Sequence, residues 1–412
     1  MRRVAITGIG IVSPCGLSAL ETWGAIVEGR TGIRAITRFD AANFSSRIAG
    51  ECAQFNPLDW MDRGRVREGD TFAHYAIAAS QMAITDAELA PAAVQDDRVG
   101  IYIGVSLGGL GAIEQSSRVL SERGPRKISP YFVPSTIANI AAAHISLKHG
   151  LRGPSFAISS ACASGAHAIG QAARAIQCGD VDAAVAGGTE ASITPLGVAG
   201  FCAMRALSIR NHEPALASRP FDLERDGFVI AEGAGLLVLE EFGAAKARGA
   251  RIYAELSGYG ASSDAHHLTR PDPNGGGAVR SMAAALRDAE VDPADVDYVN
   301  AHGTSTQFGD ASELRAIAML FGAHARSGLL VSSTKALTGH MLGAAGGVEA
   351  GICALALHHG IAPPTANLTS PCDEAMGMDL VPHTRRAALD VVMSNSFAFG
   401  GANVSLVLRR VQ

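Results

Sequence analysis

The chain has 412 residues, 48% of them hydrophobic and 18% charged, with a net charge of −5. That composition allows a large buried core in two or three domains' worth of chain, or in one large α/β unit, and the acidic balance argues against non-specific nucleic-acid binding. Seven scattered cysteines without a CxxC pair suit a reducing cytosol rather than a disulfide framework or a structural metal site, and no uninterrupted apolar stretch reaches the ~18 residues of a membrane span.

The N-terminus, Met1-Arg2-Arg3 followed by an apolar run, imitates a secretory signal. Pro14 and interspersed Gly and Thr residues break the run, so it is read as a first strand and its turn. Within it, Gly8-Ile-Gly10 resembles a dinucleotide fingerprint, but Ser13 stands where the third glycine belongs and Pro14 follows where a helix must open. A helix is expected over 71–87 and a strand over 99–103. Gly104-Val-Ser106-Leu-Gly108 then matches a nucleophile elbow, which makes a serine hydrolase the rival enzyme class, although Gly109 and Gly111 follow at once, as in a loop.

Further strands are expected over 155–159, 183–186, 235–239, 298–301, 330–332, 391–394 and 403–408, and further helices over 137–148, 165–177, 277–289, 311–321 and 343–358. The alternation describes an α/β protein with helices over sheet faces. Gly accounts for 47 residues and aromatics for only 5%, so the core is expected to be small and aliphatic, with helices close to strands. Segments 165–177 and 343–358 are small or apolar on every side, the mark of a buried helix. One in each part of the chain suggests five layers, with sheets sandwiching central helices. The chain passes from residues 1–250 to 251–412 near Arg251 without a flexible hinge, so the two halves are expected to share one core. The pairs His266-His267 and His358-His359 lack acidic or Cys neighbours that would complete a metal site, and none is expected.

Three segments carry chemistry. In Ser159-Ser-Ala-Cys162-Ala-Ser-Gly, a strand ends, Cys162 occupies the turn and a buried helix begins. The partial positive charge of that helix end is expected to draw the thiol pKa down toward neutrality; the plainer alternative is an inert buried cysteine. In Val299-Asn-Ala-His302-Gly-Thr304-Ser-Thr306, a strand delivers His302 to a Gly/Thr turn whose hydroxyls suit a polar chain entering the site. In Ser333-Thr-Lys335-Ala-Leu-Thr-Gly-His340, a lysine and a second histidine precede the second apolar helix. Glu349 lies inside that helix, where a carboxylate must be paired; Lys335 is the obvious partner.

In this order the three segments resemble the active-site motifs of the β-ketoacyl-[acyl carrier protein] synthases of the thiolase-like superfamily, the elongating type II enzyme most closely. The similarity runs from Val4-Ala-Ile-Thr-Gly-Ile-Gly to Ser394-Asn-Ser-Phe-Ala-Phe-Gly-Gly-Ala-Asn403. It implies a thiolase-like fold with two similar halves in a five-layered αβαβα sandwich. It also implies a ping-pong condensation in which Cys162 takes an acyl chain from the phosphopantetheine arm of an acyl carrier protein and malonyl-carrier extends it by two carbons, in fatty acid synthesis or in a specialised polyketide, aryl polyene or nodulation-type pathway. Cys162, His302, His340 and Lys335 are implied as catalytic, with the backbone N–H groups of Cys162 and Phe399 as an oxyanion hole. His340, where other branches carry Asn or Cys, points to elongation from a carrier-bound primer. Thr269, Thr304 and Thr306 match pantetheine contacts, Leu107 and Phe201 acyl-pocket positions, and Glu349 is counted with them among the substrate-binding residues. Arg65, Arg67, Arg126, Lys127 and Arg205 match the docking patch for the acidic carrier protein, which Glu68 and Gly69 dilute. The resemblance further implies a cytoplasmic homodimer without cofactor, nucleic acid or membrane, in which Leu107 reaches the pocket of the second copy. Ala398 stands where a glycine usually precedes the second phenylalanine of the gate loop, and is expected to restrict it if that residue must visit positive φ.

Overall fold

The structure, a computed structural model, describes residues 1–89 and 94–411. Ten strands form its main sheet. In chain order they are β1 (Val4–Val12), β2 (Val99–Gly104), β3 (Ser155–Ile158), β4 (Ala183–Glu190), β5 (Gly233–Glu241), β6 (Ala254–Ser263), β7 (Tyr298–Asn300), β8 (Leu330–Ser332), β9 (Val391–Phe397) and β10 (Ala402–Arg409). Their order across the sheet is β3-β2-β4-β5-β1-β6-β10-β9-β7-β8. Read outward from the β1–β6 junction, each half repeats one topology. The two outermost pairings are parallel and the two inner ones antiparallel in both halves. Within the sheet the halves join where Ala5 pairs Glu255 and Ile6 pairs Ala254.

Six helices set the layers: α1 (Thr71–Asp86), α2 (Ile140–His149), α3 (Ser164–Cys178), α4 (Gly276–Ala289), α5 (Gln307–Phe321) and α6 (Ala345–His359). Helices α3 and α6 touch each other and strands of both halves, so they form the middle layer. Helix α1 covers β1, β5 and β4 on one outer face, with α2 against it, and α4 covers β6 and β10 on the other, with α5 behind it. This is the five-layered αβαβα sandwich. Burial of α6 is nearly complete, from Ala345 to Leu357, as its all-round apolar character requires.

The strand missing from the sequence-based expectation is β6, the one that joins the halves. Its sequence, AELSGYGASS, lacks the β-branched run that marks a strand. Its small residues answer a packing demand instead: a Cβ on Gly258 would come 2.3 Å from Ala285 O, and one on Gly260 2.1 Å from Ser281 O, both in α4. Gly8 and Gly10 serve β1 in the same way, since a Cβ there would come 2.1 Å and 1.9 Å from backbone oxygens of α1. The glycine pair that resembles a nucleotide fingerprint is therefore a helix-packing surface inside a strand. Helices Ala19–Val27, Leu110–Arg123 and Pro195–Ala203 were also not expected from the sequence; Leu110–Arg123 buries none of its residues in the single chain.

Candidate active site

Each half brings its functional turn from the same point of the repeat, between its third strand and its central helix. After β3, a short turn, Ala161–Ala163, carries Cys162 into the start of α3, with Ala161 at φ +50. After β8, the turn Leu342–Ala344 leads into α6, with Leu342 at φ +46. A non-glycine residue held there stores roughly 1–3 kcal/mol, which the surrounding packing must impose. In the second half Gly343 occupies the position equivalent to Cys162, so only the first half presents a thiol.

The C-terminal half supplies the imidazoles. His302 follows β7, and the backbone N–H groups of His302 and Gly303 donate to the two carboxylate oxygens of Glu313 at 2.8 and 2.7 Å. His340 follows the short helix Lys335–Thr338, and its N–H donates to Val229 O at 2.8 Å. Its Nε2 lies 3.0 Å from Cys162 Sγ. The rings of His302 and His340 stand edge to face with centroids 5.3 Å apart, and Phe228 packs edge-on against His340 at 5.3 Å. The thiol and both imidazoles are buried and line one cavity of about 460 Å³.

Burial sets the electrostatics. It pushes the Cys162 thiol up to about 12, against the opposing Lys335 charge and the N–H groups of Phe399 and of Cys162 itself, which bond the sulfur. The expected thiol near neutrality is thus overturned: removal from water outweighs what the helix end and Lys335 return. Burial and Lys335 hold both imidazoles well below their ordinary value, with His340 adding to the effect on His302. The three groups are therefore neutral at rest. Burial also lifts Glu313 to about 7.

The cavity gathers Cys162, His302 and His340 with Thr269, Thr304, Thr306, Phe201, Arg205 and Phe399. The hydroxyls of Thr304 and Thr306 are 3.0 Å apart. Lys335 and Glu349 lie behind this surface, 1% and 2% exposed at the side chain, where Nζ and Oε1 pair directly. Leu107 faces away and is 45% exposed. Arg67, Arg126 and Lys127 are exposed and form no ion pair among the described residues, whereas Arg65 is drawn to Glu68 at 3.6 Å. Ala398 is extended at φ −126, ψ 157, while Gly400 and Gly401 take the positive φ values of the loop, so alanine carries no strain in this conformation. Among the described residues no histidine bonds the Ser106 hydroxyl; the backbone N–H groups of Ser106 and Leu107 donate to buried Glu190. Glu313 was missed in the sequence. Its signal was an acidic residue on the stripe shared with Ala316, Ile317 and Leu320 of α5.

Lys335→Met tests the buried pair. It leaves the Glu349 carboxyl buried without its partner, which costs roughly 3–5 kcal/mol. The expected result is a lower urea midpoint at unchanged slope, and an unchanged midpoint contradicts it.

Comparison with known proteins agrees with this geometry. The family description "Beta-ketoacyl synthase, N-terminal domain" matches residues 1–245, and "Beta-ketoacyl synthase, C-terminal domain" matches residues 253–369. The 3-oxoacyl-[acyl-carrier-protein] synthase 2 of Vibrio harveyi is 51% identical over 411 residues, 100% of this chain and 99% of that protein. A β-ketoacyl synthase from Burkholderia phymatum superposes with a TM-score of 0.92 at 38% identity, covering 100% of both chains. A type II PKS ketosynthase solved with its acyl-carrier protein gives 0.92 at 32%, again over 100% of both. With a repeated αβαβα fold, one thiol and two imidazoles in one cavity, and relatives matched along its whole length, the chain belongs to the β-ketoacyl synthase family.

Proposed function

We propose that the protein is an elongating 3-oxoacyl-[acyl-carrier-protein] synthase of fatty acid synthesis. The observation that carries this is Cys162 Sγ 3.0 Å from His340 Nε2, with the His302 ring beside it in one cavity. In this reading Cys162 attacks the acyl thioester. The new S–C bond forms, the bond to the carrier sulfur breaks, and the proton leaving Sγ through its contact with His340 ends on the carrier thiol. Malonyl-carrier then loses CO₂, and the electron pair moves onto its thioester oxygen, where His302 and His340 serve as N–H donors. The enolate carbon attacks the acyl group, whose oxyanion is met by the N–H groups of Cys162 and Phe399. Collapse breaks the bond to Cys162, releasing the β-ketoacyl-carrier, and the departing thiolate takes up a proton from solvent to restore the resting thiol.

Thr269, Thr304 and Thr306 are proposed to bind the pantetheine arm and Phe201 the acyl chain, which their positions on the cavity support. Lys335, with Glu349, is proposed to keep the imidazoles neutral. Acyl carrier protein is the proposed partner, docking on Arg65, Arg67, Arg126, Lys127 and Arg205, and a homodimer is supported by apolar side chains left exposed, among them Leu107, Leu120, Val133 and Phe156. Residues 1–250 form the thiol-bearing half and 251–412 the imidazole-bearing half. No cofactor enters this chemistry. A cytoplasmic location is supported by seven unpaired cysteines; among the described residues no helix is long and apolar enough to cross a membrane. The test is turnover of acyl-carrier primers of graded length with malonyl-carrier, followed by intact-mass analysis. A β-ketoacyl-carrier two carbons longer is expected; no product from any primer sinks the proposal.

A further inference from the structure

Glu190 is a fully buried carboxylate at the end of β4 that the mechanism above does not use. It forms no ion pair among the described residues. Its donors come from three separate segments. Ser106 N–H and Leu107 N–H reach Oε2 at 3.0 and 3.2 Å, and the Ser192 hydroxyl reaches Oε1 at 2.8 Å. The Gly343 N–H also donates to it. Gly343 is packed against this carboxylate so closely that a Cβ there would come 2.9 Å from Oε2 and 2.6 Å from Ser106 N. A buried carboxylate without a cation is costly unless its oxygens are fully bonded, so the three segments are held together through it. One of them is the turn Leu342–Ala344, whose Leu342 lines the cavity two residues after His340, the residue whose Nε2 meets Cys162. Gly343 stands where the repeat would otherwise carry a second Cys162.

We propose that Glu190 is a positioning residue for the condensation, an anionic clamp that ties the Ser106–Leu107 loop to the turn Leu342–Ala344 and so holds His340 and Leu342 in register with Cys162. This rests on the ketosynthase reading. The clamp carries a second consequence: its negative charge opposes ionisation of Cys162. Burial lifts Glu190 itself to about 7, so the carboxylate is charged at about pH 8.5. Glu190→Gln keeps the shape but turns an NH₂ group toward the N–H donors and removes the charge. The two effects oppose each other in measurable ways. Loss of register slows malonyl decarboxylation, and loss of the charge speeds thiol alkylation. Simple destabilisation also slows decarboxylation and opens the buried thiol to alkylation, and it is told apart by a fall in melting temperature.

The experiment measures, on the full chain, decarboxylation of malonyl-carrier and iodoacetamide alkylation of Cys162 at about pH 8.5. For E190Q the expected result is kcat for decarboxylation down by about tenfold or more, with KM for malonyl-carrier within about twofold, as for misplacement of a reacting group. Alkylation is expected to be at least about threefold faster. Gly343→Ala presses on the clamp while leaving the charge, so it is expected to lower decarboxylation without speeding alkylation. Either rate unchanged in E190Q, or the two expected changes appearing only together with a clear fall in melting temperature, overturns the clamp. Failure of the wild-type protein to condense at all overturns the ketosynthase reading instead.

Discussion

Cys162→Ala is expected to abolish transfer of an acyl chain from acyl-carrier to the protein, with condensation falling by roughly 10³-fold or more. Intact-mass measurement after incubation with an acyl-carrier primer reads it directly: the acyl mass appears on the wild type and is absent from the variant. Among the described residues Cys162 is the only thiol lining the cavity, and burial pushes that thiol up to about 12, so the free enzyme holds a neutral S–H against His340 Nε2 at 3.0 Å. Nucleophilicity then arises in the contact itself, as the proton departs while the sulfur attacks. A fluorophosphonate is expected to leave Ser106 unlabelled, because among the described residues no base bonds its hydroxyl. Acyl mass retained on the alanine variant would place the nucleophile elsewhere.

His302→Ala and His340→Ala carry the second large effect. In the proposed mechanism each removes an N–H donor from the oxygen on which the malonyl enolate develops, and a donor of this kind is worth about 3 kcal/mol, or roughly 10²-fold. Each single variant is expected to lose malonyl decarboxylation by at least that factor, and the double variant to lose it entirely; release of CO₂ from malonyl-carrier measures it. The pH dependence has a definite sign. Both imidazoles are held well below the usual 6.5 by burial and by Lys335, so they stay neutral as the solution is acidified, and the rate is expected to show no inflection between about pH 6 and 7. Lys335→Met removes one of the two pressures, so its acid limb is expected to move to higher pH. A single variant that decarboxylates at the wild-type rate ends the donor role for that histidine.

Ala398 shows how a local expectation depends on conformation. Alanine is disfavoured only at positive φ, and the loop assigns those angles to Gly400 and Gly401. The expected restriction is absent from this conformation.

Much of the protein was already decided by neighbours along the chain. Alternating β-branched runs and Ala-rich stretches marked nine of the ten sheet strands and the six layer helices, because burial on one or both faces imposes its period on the sequence. The unbroken apolarity of α3 and α6 announced the central layer, and Cys162, His302, Lys335 and His340 stood in readable motifs. Four things came only with tertiary structure. Strand β6 looks unlike a strand because its glycines answer to the close approach of α4, which only the folded packing sets. The repeated topology exists in strand order and not in letters. Glu190 gains its meaning from donors on loops far away in the chain, and Glu313 from the turn after β7 that folds back onto α5. The sign of the Cys162 shift also depends on the fold, since a helix end alone argues for a lower pKa and a closed, water-poor cavity overrides it. Periodicity and composition are local properties, whereas desolvation and convergence are made by segments that meet only after folding.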